Sequence, residues 1–155
     1  MNRDPRRQRP VVTDQRPPGA RRWPALVLLY AFVAVMWVVE AADQVLGAAV
    51  GRPTSDGPLD DYGVRPQDGD GLVGIVFQPF LHGDWAHLAS NSIALLVLGT
   101  IIALSGLRPL VKVTLVSWVL SGIASWLLGL YGTVHIGASG IVFGYIFYVI
   151  VRGFF

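Results

Sequence analysis

Residues 87–106 read HLASNSIALLVLGTIIALSG, a run without Asp, Glu, Lys or Arg. A helix needs roughly 20 apolar residues to cross a hydrocarbon core about 30 Å thick. The run therefore predicts a membrane-spanning helix. Three further apolar segments, at about 24–50, 110–130 and 139–152, reach or approach that length. The sequence thus predicts an all-α membrane protein, built as a polytopic helical bundle in a lipid bilayer.

The composition excludes several classes of protein. Hydrophobic residues occupy 53% of the 155 positions and charged residues only 14%, with a mean hydropathy of +0.53. The chain is therefore far more apolar than a soluble domain of this size. The chain has no cysteine. Disulfides, cysteine-protease chemistry and thiolate metal sites are therefore excluded as well.

Residues 1–23 precede the first apolar segment and are rich in arginine and proline. We predict a disordered, basic cytoplasmic tail here, with a membrane domain over 24–155. A nucleic-acid-binding arm and a cleaved signal peptide are the alternatives. The first is disfavoured because the arginines lie directly before an apolar run, so we expect no nucleic-acid partner. The second is disfavoured because the run from Pro24 is long for a signal sequence. The seven arginines are Arg3, Arg6, Arg7, Arg9, Arg16, Arg21 and Arg22.

Basic residues predict the orientation of the spans. With the N-terminus inside, the cytoplasmic side holds the seven tail arginines, Arg108, Lys112 and Arg152, whereas the outer side holds only Arg52 and Arg65. This asymmetry satisfies the positive-inside rule. We therefore expect a multi-pass protein, in the plasma membrane, with a cytoplasmic N-terminus and an outer loop at 51–86. Within that loop, Leu72–Leu81 is too short to span and is expected to lie at the interface.

Two kinds of polar residue in the spans have structural interpretations. Glu40 and Asp43 fall late in the first span, near the outer interface, where we interpret them as snorkelling or interface groups rather than as a proton relay. In the third span, small residues recur every fourth position and predict close helix packing rather than nucleophiles. These small residues are Ser117, Ser121, Ser125 and Gly129.

Two short motifs carry the chemistry, His87-Leu-Ala-Ser-Asn91 and Gly137-Ala-Ser139-Gly140. At 1.5 Å per residue, Ser139 lies about 20 Å from Arg152 and Asn91 about 21 Å from Ser105, so both reach a similar depth from the inner face. Polar groups inside a bilayer are functional candidates. Ser139 also starts a helix, where backbone N–H groups favour an anion. Gly137 and Gly140 leave room for a substrate backbone and for helix packing. The pattern predicts a serine nucleophile with an oxyanion site, which needs a base.

The order of several motifs resembles the rhomboid family of intramembrane serine proteases. The matching segments are Gly63-Val-Arg65-Pro66, Phe80-Leu-His82-Gly-Asp-Trp-Ala-His87-Leu-Ala-Ser-Asn91 and His135-Ile-Gly137-Ala-Ser139-Gly140. The resemblance implies that Ser139 is the nucleophile and that His87 and Asn91, with the Ser139 backbone N–H, stabilise the oxyanion. His82 matches a histidine ahead of the motif, and both a contribution from the loop and a plain interface position are open for it. The implied substrates are membrane proteins with transmembrane segments, and no cofactor is implied.

One feature departs from the rhomboid pattern. Rhomboids have a six-helix core whose last helix carries the histidine base, and only four of those six helices are predicted here. The general base is therefore expected to be absent from this chain, which we expect to be inactive alone. His135 is a poor substitute because a loop gives no assurance of proton-transfer geometry. Zinc binding by the three histidines is not expected from their spacing. The alternatives are a catalytically inactive rhomboid-like protein that binds membrane clients and an unrelated small helical membrane protein.

Overall fold

The computed structural model describes residues 22–52 and 57–154, except for the side chain of Phe154. The five α-helices of this part are α1 (Trp23–Val50), α2 (Gly74–Phe77), α3 (Trp85–Ala103), α4 (Leu107–Leu128) and α5 (Ser139–Phe154). Short 3-10 turns occur at Asp60–Tyr62, Asp70–Val73 and Gln78–Phe80. By length and composition α1, α3 and α4 can each cross a membrane, while α5 is shorter but apolar. The predicted all-α membrane bundle is confirmed. The predicted tail lies almost wholly outside the described residues.

Helix α1 starts with Pro24 in its first turn, where the missing N–H removes no helical hydrogen bond. It ends at Val50, and the φ of +73° at the next residue, Gly51, turns the chain out of the helix. One stripe of α1 faces the protein at intervals of three or four residues, as expected for a helix packed on one side. The buried residues of this stripe are Ala25, Leu29, Val33, Met36, Glu40, Asp43 and Gly47.

The stripe shows that the snorkelling interpretation of Glu40 and Asp43 is wrong. Both side chains are only 1% exposed. Oε1 of Glu40 accepts a hydrogen bond from Nε2 of Gln44 at 2.8 Å, and Oδ1 of Asp43 accepts one from the backbone N–H of Leu59 at 2.6 Å. The carboxylate of Asp43 also contacts Gly57. Asp43 therefore attaches the outer loop to α1.

Residues 57–84, between α1 and α3, fold back onto the helices, with α2 against α4 and the turn at Gln78–Phe80 against α1 and α5. Their apolar stretch forms α2 and the adjoining 3-10 turns, with Leu72, Val73, Val76 and Phe77 exposed. Gly74, Gln78 and Pro79 are buried on the opposite side. One apolar face outwards and one buried face inwards suit a segment that lies at the membrane interface.

Helix α3 begins earlier than predicted because Asp84 caps it. Oδ1 of Asp84 accepts a hydrogen bond from the backbone N–H of His87 at 2.7 Å, so the helix starts at Trp85. It ends at Ala103, and Gly106, with a φ of +112°, leads into α4. The predicted bounds of 87–106 and 110–130 are therefore each shifted towards the N-terminus by two or three residues.

Helix α3 packs against α1 and α5, and α5 packs against α4. Their shared core contains Leu29, Met36, Leu95, Ile102, Ile141 and Tyr145. The α4–α5 contact uses the small-residue stripe predicted for packing. A Cβ atom on Gly140 would collide with Ser121, and one on Gly144 would collide with Ser117. The glycines at 140 and 144 let Ser117 and Ser121 approach α5 closely, which confirms the packing interpretation for these two serines.

Candidate active site

The first two turns of α3 carry two of the predicted site residues. The Asp84 cap fixes the backbone of His87, whose side chain is half-buried. Asn91 lies one turn further along the same helical face and is only 5% exposed. The four-residue spacing thus places the imidazole and the amide on one side of α3.

Backbone hydrogen bonds to the outer loop hold the loop before Ser139. Val64 and His135 form an antiparallel bridge with N–H···O distances of 2.9 and 2.8 Å. The N–H of Gly137 donates to the carbonyl oxygen of Gln78 at 2.7 Å. Gly137 has a φ of +107°, a conformation that favours glycine. The backbone leading into Ser139 is thus fixed at two points.

Gly137 is the point at which α3 meets this loop. A Cβ atom built on Gly137 would lie 2.7 Å from Cε1 and Nε2 of His87 and 3.5 Å from Nδ2 of Asn91. Both side chains therefore lie beside the backbone two residues ahead of Ser139. The structure brings His87, Asn91 and Gly137 together.

The amide of Asn91 has an unused donor. Nδ2 is buried and has no hydrogen-bond partner among the described residues. An unsatisfied buried donor costs about 1–3 kcal/mol, and such groups in folded proteins call for an explanation. A donor kept free beside the loop before a serine is suited to a developing anion.

Ser139 is the first residue of α5 and its side chain is exposed. The preceding residue, Ala138, is buried, and its carbonyl oxygen accepts from the N–H groups of Ile141 and Val142 at 2.9 and 3.1 Å. The first N–H groups of a helix have no partner within it, and the helix dipole adds positive potential there. Ser139 therefore combines an accessible hydroxyl with a backbone suited to hold an oxyanion.

His82 is more buried than an interface histidine would be. Its side chain is fully buried, and its ring packs edge-on against His87 with centroids 5.1 Å apart. Burial, together with the nearby His87, lowers the pKa of His82 from its usual 6.5 to about 4. His82 is thus a neutral ring that supports His87.

His135 has contacts of its own on the far side of the loop. Its Nε2 lies 3.1 Å from Oγ1 of Thr133. A Cβ atom on Gly129, at the end of α4, would be 2.7 Å from the same nitrogen. These contacts anchor the loop to α4. They involve one of its two ring nitrogens.

No group of three or more His, Cys, Asp or Glu within residues 22–52 and 57–154 is arranged to hold a metal ion. Gly140 lies against α4 beside a groove of about 600 Å³ between α4 and α5, lined also by Ser117, Ser121 and Gly144. The side of α5 that follows Ser139 is therefore open.

The described residues thus form a bundle of apolar helices, with a histidine and an asparagine beside the loop that leads to a helix-starting serine. A family model described as Rhomboid domain matches residues 70–155. Uncharacterized proteins of Mycobacterium tuberculosis and Mycobacterium bovis are each 38% identical over 174 aligned positions, which cover the whole of this chain and 69% of their own length.

An uncharacterized protein of Mycobacterium leprae is 40% identical over 134 positions, covering 83% of this chain and 50% of its own length. No solved structure matches the chain. The chain belongs to the rhomboid family and is an integral membrane protein.

Sequence reasoning missed two residues of this site. Gln78 gave no signal, because its part in the site is made by a backbone carbonyl. Asp84 could have been found, since an aspartate three residues before His87 fits the pattern of a helix N-cap.

Proposed function

We propose that this protein is an intramembrane serine endopeptidase that cleaves transmembrane segments of membrane proteins, with Ser139 as its nucleophile. The observation that carries the proposal is the unpartnered, buried amide of Asn91 beside Gly137. A donor left free at that position is suited to bind the carbonyl oxygen of a peptide bond under attack by Ser139.

The proposed reaction follows from these positions. Oγ of Ser139 bonds to the scissile carbonyl carbon and passes its proton to a base, while the carbonyl oxygen becomes an anion. The side chains of His87 and Asn91 and the backbone N–H of Ser139 stabilise that anion. The C–N bond then breaks, and the amine leaves with the proton. Water hydrolyses the acyl ester and releases the new carboxylate.

The proton acceptor is proposed to lie outside these 155 residues. The chain has three histidines. The rings of His82 and His87 contact each other, and the ring of His135 contacts Thr133. A further helix that docks in the groove between α4 and α5 would pass beside Gly140, one residue after Ser139. We propose that such a helix supplies the histidine base.

An inactive protein that binds membrane clients is the second candidate function. It is favoured by the same contacts of His82, His87 and His135, since a site without a base binds but does not cleave. For both candidates we propose the plasma membrane and a cytoplasmic N-terminus, from the excess of basic residues on that side.

The test compares the 155-residue chain with the full reading frame that contains it, each as parent and as Ser139→Ala. Cleavage of a test transmembrane substrate is followed on gels, and a fluorophosphonate probe labels the reactive serine. We expect Ser139-dependent cleavage by the full reading frame. The 155-residue chain should be slower by at least about 10²-fold without a general base. Robust turnover by the short chain would point to His135, which His135→Ala then tests. A silent full reading frame would favour the client-binding function.

A further inference from the structure

Gln78 connects the outer loop to the nucleophile loop through its backbone. Its carbonyl oxygen accepts the N–H of Gly137 at 2.7 Å, the shortest backbone hydrogen bond made by the loop before Ser139. Gly137 in turn contacts His87 and Asn91. The position of one carbonyl group therefore determines where the backbone beside the predicted oxyanion site lies.

The side chain of Gln78 packs against α4 and so holds this residue beside the helix. Gln78 is only 5% exposed. A Cβ atom on Gly122 of α4 would lie 2.8 Å from Nε2 of Gln78 and 2.6 Å from Cγ2 of Ile75. The glycine thus forms a notch that the amide nitrogen of Gln78 and the Cγ2 methyl of Ile75 occupy, and a methyl group there would push these two side-chain ends aside.

A second contact holds the same segment to α4. Nε1 of Trp118, one turn before Gly122, donates to the carbonyl oxygen of Ile75 at 2.6 Å. Trp118 also packs against Phe80, with ring centroids 5.3 Å apart. The segment from 75 to 80 is therefore fixed to α4 on both sides of Gln78.

From this chain of contacts we infer that Gln78 is a positioning residue for the proposed protease reaction. It acts through Gly137, and it does not touch the substrate. Helix α4 locates Gln78, Gln78 locates the Gly137 peptide, and that peptide aligns the backbone at Ser139 with the amide of Asn91. The inference rests on the proposed function. A misplacement of about 1 Å at a reacting group can cost on the order of 10²-fold in rate. A small shift of the Gln78 carbonyl should therefore slow the reaction strongly.

The test uses the full reading frame with Gly122→Ala, which displaces Gln78 from its notch, and Trp118→Phe, which keeps a ring but removes the donor to Ile75. Gly153→Ala is the matched control, because a Cβ atom on Gly153 meets no neighbour. Three quantities are measured, namely kcat per probe-labelled serine, KM for a test transmembrane substrate, and hydrogen exchange at the Gly137 amide.

We expect Gly122→Ala to lower kcat per labelled serine by at least about 10-fold with little change in KM, because alignment and not binding is lost. The Gly137 amide should exchange faster in the same variant. Trp118→Phe should show the same changes to a smaller extent, and Gly153→Ala should match the parent. If Gln78 had a purely structural role, the variant would contain more unfolded molecules. Because kcat is counted per labelled serine, those unfolded molecules do not lower it.

Two results would overturn the inference. If kcat per labelled serine equals that of the parent and only the labelled fraction falls, Gln78 is structural. If hydrogen exchange at the Gly137 amide is fast in the parent or unchanged in Gly122→Ala, Gln78 does not hold the Gly137 peptide in place. A parent that neither cleaves nor labels at Ser139 refutes the proposed function itself. In that case slow hydrogen exchange at the Gly137 amide shows that Gln78 holds the Gly137 peptide in place, but without a catalytic role.

Discussion

The imidazole of His87 packs against the backbone of Gly137, with the Cβ position of the glycine 2.7 Å from Nε2. No side chain fits between them. Since Gly137 also has a φ of +107°, steric fit and backbone conformation require glycine at this position for separate reasons. The contact joins the start of α3 to the start of α5, which carry all three groups assigned to catalysis.

Gly137→Ala should therefore abolish most activity. The methyl group would push His87 away from the oxyanion site, and we expect kcat to fall by about 10²-fold or more. Gly132→Ala is the control, because Gly132 has a φ of +81° but its Cβ position is open. Both variants carry backbone strain of about 1–3 kcal/mol, which thermal unfolding in detergent would measure. Equal activity in the two variants would show that the His87 contact is unimportant.

Gly140→Val should destabilise the bundle, because Gly140 lies against Ser121 of α4. Overpacking of this kind costs about 1–3 kcal/mol. Heat resistance in detergent measures it, and Gly153→Val, in open space, should behave as the parent. A smaller exchange across the interface, Gly140→Ala with Ser121→Gly, should recover the stability that Gly140→Ala alone loses. If Gly140→Val resists heat as well as the parent, the packing role is wrong.

The stability of the protein should depend on His82 at acidic pH. Its pKa is lowered from 6.5 to about 4 in the fold, so the unfolded chain takes up this proton first as the pH falls. The stabilisation is complete above about pH 6.5 and is lost progressively as the pH falls to about 4, amounting to roughly 3 kcal/mol.

His82→Phe separates this proton from the ring packing. Phenylalanine keeps an aromatic ring beside His87 and cannot titrate, so the variant should match the parent at pH 8 and lose less stability between pH 6.5 and 4. Thermal unfolding over that range gives the comparison, with His82→Ala as the variant that also loses the ring. A Phe variant that follows the same pH curve as the parent would rule out His82 as the titrating group.

The helices could be predicted because a bilayer requires length and apolarity, and both are read directly from residues 87–106. The orientation of the side chains in α1 could not be predicted from the sequence. Glu40 and Asp43 share a three- and four-residue spacing with Leu29 and Met36, but the residues between them are equally apolar, so the sequence does not show which stripe faces inwards. The hydrogen bond from Leu59 to Asp43 joins residues 16 positions apart, which no local pattern reveals.

The candidate site divides in the same way. His87, Asn91 and Ser139 were proposed because their side chains stand out in apolar surroundings. The role of the Gln78 carbonyl could not be predicted, because every residue has a carbonyl group. The notch at Gly122 could not be predicted either, because a glycine in a helix can have many roles. Contacts of the main chain appear only once the fold brings residues 78, 122 and 137 together.

Asn91 offers the most direct test of the oxyanion assignment. Asn91→Ala removes the unpartnered donor, and loss of one such donor costs about 10²- to 10³-fold in kcat. KM should change little, because the donor acts on charge that forms only in the transition state. Removing an unsatisfied buried group should also leave stability unchanged or slightly higher, which is the opposite of the effect expected for a structural asparagine.

Ser90→Ala is the control for this prediction. The side chain of Ser90 is exposed, and its hydroxyl donates a hydrogen bond to the carbonyl oxygen of His87. The measurements are kcat and KM of the full reading frame, fluorophosphonate labelling at Ser139, and thermal unfolding. A variant that unfolds much earlier but keeps its kcat per labelled serine would show that Asn91 holds the fold and not the oxyanion.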